Sequence, residues 1–275
     1  MPEPVVRSEV CTLAAVRRVA AMLDLNPDDF QSGTALPRGW QFILMAADTQ
    51  RSLLRADGFP GLGVVMPDLG LPRLLLGGKS VRYHADIPIG AALTRKSTIR
   101  SLEPKSNQAG PLVIVTIEHE LHLHDAQAAA LVETQTYVLL PASRGSALIS
   151  ASAHPSEVTG LHSKTVVPNE TLLFQYSALG FNSHKIHLDR SHARNVEGFP
   201  DLVVNGGLAT LLMTDFLRCE AGIAPSALKI RHVAPLFCGS PITMVANKVE
   251  DRWHVKAYDH RSTLAVDMEV VPHEF

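Results

Sequence analysis

The chain has 275 residues, a net charge of -2 and a pI near 6.7, a balance that excludes a nucleic-acid surface or a basic membrane patch. Hydrophobic residues make up 46% and charged residues 19%, an ordinary globular composition with length for one or two cores; Cys11, Cys219 and Cys238 are too few for a disulfide framework and read as reduced thiols. The opening MPEPVVRSEV has no apolar stretch, so no signal peptide is expected there, and no apolar run reaches the roughly 18 residues of a membrane span, so a cytoplasmic protein acting on something small is expected.

In chain order, Thr12 can cap a helix with Leu13, Val16, Ala20 and Leu23 on one face, ended by Asn26-Pro27. Residues 36–47, LPRGWQFILMAA, are apolar without clear periodicity and fit a buried strand or a short helix equally. Residues 58–78 are dense in Gly and Pro and predict an ordered loop. From Lys79 the pattern is strand-like. VRYHADIPIGAALTRKSTI, PLVIVTIEHELHL and ALVETQTYVLL read as three consecutive antiparallel strands. Residues 142–164, rich in Ser, His and Gly, predict a linker between an N-terminal unit (1–141) and a C-terminal one (165–275).

The second unit opens with TLLFQYSAL, a strand candidate. FNSHKIHLDRSHA (181–193) follows, with three histidines, an Asn and an Asp in thirteen residues; Asp189 can cap a short helix through Ala193. FPDLVVNGG leads to Gly206-Gly207, and LATLLMTDFLRCEAG is apolar on nearly every face, which predicts a helix buried all round and stopped by Gly222 and Pro225. ALKIRHVAPLF, PITMVANKV with RWHVKAYD, and STLAVDMEVV are the closing strand candidates.

The halves echo each other. Val81–Thr94 aligns without gaps on Ile230–Thr243, with identities at Arg82/Arg231, Ala85/Ala234, Gly90/Gly239 and Thr94/Thr243. Each copy is read as the first long strand of a three-strand meander that ends in a proline, Pro141 or Pro272. This predicts two copies of one α+β unit, each an antiparallel sheet, with a buried helix kept in the second copy and a Gly/Pro-rich loop in its place in the first.

A long apolar helix wrapped by a curled antiparallel sheet is the hot-dog arrangement. The segment YSALGFNSHKIHLDRSHARNVEGFPDLVVNGGLA resembles the hydratase motif of MaoC-like enoyl-thioester hydratases. It is most similar to their double-hot-dog branch, which includes mesaconyl-C4-CoA and itaconyl-CoA hydratases and 3-hydroxyacyl-thioester dehydratases and which typically reads F-N-S-H-R-I-H-Y-D. LPRGWQF and LPRLLLGGKSVRYH look like that branch's N-terminal half. The resemblance implies a double hot dog with His187 as the catalytic histidine. It sets Asn182 at the family's acidic position, His184 at its asparagine, and Gly206 at the glycine whose N–H holds an oxyanion. The acid of the motif is missing, Asn205 stands where a histidine usually precedes the glycine, and Lys185 and Leu188 replace Arg and Tyr.

Adding water across an alkene conjugated to a thioester requires a base for the water and a donor for the thioester oxygen. Histidine, with a pKa of about 6.5, suits the first task, here His187. Asn182 has no basic nitrogen but its amide can orient the water, and His184 can bond that water or fix the tautomer of His187. Gly206 and Gly207, at the start of the buried helix, offer unpaired N–H groups. Lys185, Arg190 and Arg194 are the cations nearest in sequence for a carboxylate on the acyl group. A zinc site at His184, His187 and Asp189 lacks further ligands, and the row Glu118, Glu120, His122, His124 is read as the wet face of a hairpin, so no metal is expected. The expected activity is that of a hydro-lyase on a short branched enoyl-CoA of the mesaconyl or itaconyl type. No cofactor is expected beyond CoA as part of the substrate, and the only candidate assembly is a homodimer. The alternatives are an (R)-3-hydroxyacyl-thioester dehydratase for longer chains, whose apolar tail would fill the first half, a hot-dog thioesterase, and an acyl-CoA binding protein.

Overall fold

Alternate burial builds most of the structure. In the segment Gly110–Leu123 every second residue from Val113 to Leu121 is buried, so one face of the strand joins a core and the other meets solvent. The computed structural model describes residues 2–107, 110–124, 126–142 and 157–273. Most of the expected linker, residues 143–156, lies outside the described residues.

The N-terminal half contains β1 (Val5–Val10), α1 (Leu13–Met22), β2 (Arg73–Tyr83), β3 (Ala92–Asn107), β4 (Gly110–Leu123) and β5 (Leu131–Leu140). The C-terminal half contains β6 (His162–Val166), α2 (Glu170–Leu179), α3 (Arg190–Asn195), α4 (Gly206–Ala221), β7 (Pro225–His232), β8 (Ile242–Val249), β9 (Arg252–Tyr258) and β10 (Leu264–Pro272). All ten strands join in one antiparallel sheet of order β1-β3-β4-β5-β2-β7-β10-β9-β8-β6. The order is symmetric about the β2–β7 seam, so two five-stranded sheets of like topology meet edge to edge. This is the double hot dog, with α4 as the enclosed helix. From Leu208 to Leu217 every residue of α4 is buried, and the helix packs on β6, β7, β8 and β9. Among the described residues no helix is long and apolar enough to cross a membrane.

The repeat read in the sequence recurs in the backbone. Leu36 N–H donates to Ile87 O as Val204 N–H does to Leu236 O, each at 2.8 Å. Gly90 N–H reaches Cys11 O at 2.6 Å and Gly239 N–H reaches Pro168 O at 2.7 Å. The isolated bridges Ala35–Pro88 and Val203–Phe237 correspond in the same way. Under this equivalence Leu36-Pro37-Arg38-Gly39 matches Val204-Asn205-Gly206-Gly207. Where α4 then begins, the first half makes only the short 3-10 turn Gln41–Leu44, with Leu44 buried and Trp40 just before it.

Three expectations are corrected. TLLFQYSAL forms the helix α2, because Asn169 Oδ1 accepts from Leu172 N–H at its start and Leu173, Tyr176 and Ser177 make a helical buried stripe. The aligned segments are strand–turn–strand in both halves, since Pro88 with Gly90, and Pro235 with Gly239, lie in turns between strands. The first half's meander starts at Arg73, six residues before Lys79, so Gly77 and Gly78 belong to β2 and not to the loop. The predicted helices at Thr12, Asp189 and Gly206–Ala221 form as expected. Thr12 and Asp189 cap theirs, and Gly222 closes α4 in the left-handed conformation at φ 67°.

Candidate active site

The histidine turn leaves α2 through Gly180 and Phe181. Asn182 N–H bonds Ser177 O at 2.8 Å, and Asn182 Oδ1 accepts from His184 N–H at 3.1 Å, so the Asn side chain shapes the turn. The first half's loop clamps it from outside. Ser183 Oγ donates to Gly58 O at 2.7 Å, Lys185 N–H to Asp57 O at 2.8 Å, and Lys185 Nζ to Ala56 O at 2.8 Å. Gly58 has φ +78°, and a Cβ there would lie 2.3 Å from Ser183 O, so only glycine fits against the turn.

His187 is buried, and its Nδ1 lies 2.7 Å from Val203 O. A carbonyl only accepts, so Nδ1 carries the proton and Nε2 keeps its lone pair. Burial pushes the ring down to about 3, partly opposed by the Val203 bond, so it is neutral at ordinary pH. Val203 is three residues before α4, which ties the ring to the start of that helix. His184 meets His187 edge-on at 5.6 Å between centroids and leans on Phe59 at 5.4 Å. Burial also lowers its pKa, and Asp57, whose Oδ2 is 3.6 Å from Nε2, opposes that.

At the head of α4, Asn205 makes no side-chain cap, so the first-turn N–H groups stay open. Tyr176 presses its hydroxyl against Gly207, where a Cβ would lie 2.0 Å from the oxygen. His232, at the end of β7, lies over Gly206; its Nε2 is buried without a partner among the described residues, and burial pushes the ring down to about 4.

One cavity of about 580 Å³ connects these groups. Asn182, His184, His187, Gly206 and Gly207 all line it, so five of the eight residues singled out in the sequence converge. The other three do not. Lys185 is turned to Ala56 O, Arg190 pairs with Glu170 and Asp201, and Arg194 bonds Asp201 and Pro200 O; none lines the cavity. The cations that do line it are Lys79 and Arg95, from the first half. Sequence reading missed them along with Tyr176, His232 and Asp57. The only signal was a polar residue at an inward position of an otherwise apolar row, as with His119 between Ile117 and Leu121. On the outer face of that strand, Glu118 pairs with Arg100 and Glu120 with Lys96 and His122, as the reading of a wet hairpin face expects.

The geometry offers an unprotonated imidazole nitrogen and a helix N-terminus on one partly apolar cavity. That combination can move a proton and hold a developing anion. The model of the hydroxyacyl-thioester dehydratase type 2 family matches residues 39–238. The mesaconyl-C(4)-CoA hydratase of Chloroflexus aurantiacus is 30% identical over 270 residues, 96% of this chain and 94% of that one. Among solved structures, a MaoC-like dehydratase from Phytophthora capsici superposes with a TM-score of 0.73 at 15% identity, covering 98% of this chain and 95% of that chain. A Mycobacterium tuberculosis protein described as a double hot dog gives 0.57 at 14% identity, covering 100% and 97%.

Proposed function

Because the chain belongs to the hydroxyacyl-thioester dehydratase type 2 family and is a hydro-lyase of acyl thioesters, we propose that it adds water to a short enoyl-CoA of the mesaconyl-C4 or itaconyl type. His187 Nε2 takes a proton from water as the hydroxide bonds to Cβ. The alkene electrons pass through Cα to the thioester oxygen, and the enolate is held by the N–H groups of Gly206 and Gly207. The same imidazolium then returns the proton to Cα, so one water is added and nothing else is consumed. Burial makes a lone imidazolium costly, but here it forms beside the enolate, so the two charges arise and vanish together. Asn182 and His184 orient the water. CoA enters only as part of the substrate.

The observation that carries this reading is the one cavity lined both by His187, whose Nδ1 is held by Val203 O, and by the uncapped start of α4. The near full-length similarity to a mesaconyl-C(4)-CoA hydratase supports the choice of acyl group. A second reading, dehydration of longer 3-hydroxyacyl thioesters, is favoured by Leu74, Leu112, Val138 and Leu140 on the cavity wall. Hydration of mesaconyl-C4-CoA and crotonyl-CoA, followed at the enoyl absorbance, separates the two. A strong preference for mesaconyl-C4-CoA is expected, and a strong preference for crotonyl-CoA reverses the order.

A further inference from the structure

The cavity has a second polar wall that hydration does not use. In the C-terminal half the inward row near the seam is apolar: Leu228 pairs with Val270 and Ile230 with Met268, all buried. In the N-terminal half the register pairs Lys79 with Gln135 and Val81 with Glu133. Under the repeat Lys79 therefore stands where Leu228 does, Gln135 where Val270 does, and Glu133 where Met268 does. The row has turned polar in the half that lacks the helix and keeps a cavity.

Such a row is costly to bury without a use. Glu133 is fully buried and accepts from Lys79 Nζ at 2.9 Å, Gln41 Nε2 at 2.9 Å and Gln135 Nε2 at 2.7 Å. Lys79 has three N–H donors and gives Glu133 one. Arg95 is 5% exposed; its Nη1 reaches Ala46 O at 3.2 Å, its Nη2 pairs with Glu9 at 3.1 Å, and its Nε has no partner among the described residues. Both cations line the cavity, and His119, on the same wall, feels the charge of both. This wall has donors to spare, which an anionic oxygen would satisfy.

The wall is also close to the chemistry. The charge of Lys79 acts on His232, whose ring lies over Gly206, and that of Glu133 acts on Tyr176, whose hydroxyl touches Gly207. Lys79 pairs with Ile230 across the β2–β7 seam, two residues before His232, and Lys79, His232 and Gly206 line the same cavity. A carboxylate on the acyl group would find donors on this wall, whereas an apolar tail would cover it without a partner.

We propose that Lys79 and Arg95 form the subsite that recognises a free carboxylate on the acyl group and so select dicarboxylic over monocarboxylic acyl-CoA. This rests on the reading of the cavity as an acyl-CoA hydratase site. The test is calorimetric binding of succinyl-CoA and butyryl-CoA, which differ in having a carboxylate or a methyl at Cβ and which cannot be hydrated. For the wild-type protein the ratio of dissociation constants should favour succinyl-CoA by ten- to a hundredfold, as expected of a charge-assisted hydrogen bond. Lys79→Met alone would leave Glu133 buried without its cation, so the working variant is Lys79→Met with Glu133→Gln, which removes that charge and keeps one amide oxygen to accept from Gln41 or Gln135. It should bring the ratio close to one. Arg95→Gln, which leaves the Lys79–Glu133 pair intact, should lower the ratio severalfold and serves if the double variant does not fold. A wild-type ratio near one, or a ratio unchanged in the variants, overturns the proposal. Hydration of mesaconyl-C4-CoA and of crotonyl-CoA by the wild type is measured alongside. The absence of both would sink the hydratase reading, while the binding ratio still decides the subsite.

Discussion

Gly207→Ala tests the site at its tightest contact. The added Cβ would lie 2.0 Å from the Tyr176 hydroxyl oxygen and 3.1 Å from Cζ, so the head of α4 or the phenol must move by more than 1 Å to restore ordinary contact. Overpacking of this kind costs about 1–3 kcal/mol, offset by up to about 1 kcal/mol because alanine favours a helix over glycine. A net loss of about 1–2 kcal/mol follows, or roughly 2–8 °C in Tm for a chain of this size. The displaced N–H should also lower kcat/KM at least tenfold, since one oxyanion donor is typically worth about 3 kcal/mol. Tyr176→Phe removes the nearest atom and leaves the next at 3.1 Å. In the alanine background it should therefore recover about 1 kcal/mol, visible as non-additivity in a double-mutant cycle. The assays are thermal melting and hydration kinetics on the four proteins. Wild-type melting and turnover in Gly207→Ala, or a strictly additive cycle, would refute the packing of Tyr176 against this turn of helix.

Two further predictions follow from the same groups. Burial holds His187 at about 3 and His119 and His232 each at about 4, below the roughly 6.5 of an unfolded histidine, so the unfolded chain binds more protons between these values. Stability contributed by the neutral rings is complete above pH 6.5 and lost as pH falls toward 4, by up to about 2 kcal/mol per ring at pH 5. Tm should drop steeply between pH 7 and pH 5, and a flat profile would show that the rings are not buried as described. Gly58→Ala places a Cβ 2.3 Å from Ser183 O at a φ of +78°, so it should displace the histidine turn and lower kcat/KM tenfold or more. Unchanged kinetics would show that the first-half loop does not hold the turn.

The fold was legible where one periodicity or one cap dominates. The apolar run after Gly207 could only be a buried helix, and Thr12 and Asp189 announced their caps. TLLFQYSAL misled because its apolar residues are dense enough for either period, and the cap that decides, Asn169, precedes the run. VRYHADIPIGAALTRKSTI misled because a turn at Pro88 and Gly90 keeps apolar flanks on both sides. In the site, the histidine turn and the glycine pair are local in sequence and were found. Lys185, Arg190 and Arg194 were chosen for nearness along the chain, yet each is held by a carbonyl or carboxylate away from the cavity. The cations on the cavity, Lys79 and Arg95, come from strands brought in by the β2–β7 seam and the β1–β3 edge, which no local pattern reveals.

The most direct test of the mechanism is His187→Ala, with kcat/KM for hydration measured beside the far-ultraviolet circular dichroism and melting of the same protein. A loss of at least about a hundredfold in a folded protein is the expected result for a residue that carries the proton from water to Cα. Turnover within a fewfold of wild type would mean that another group moves the proton, and the assignment of the cavity's chemistry to His187 would fall.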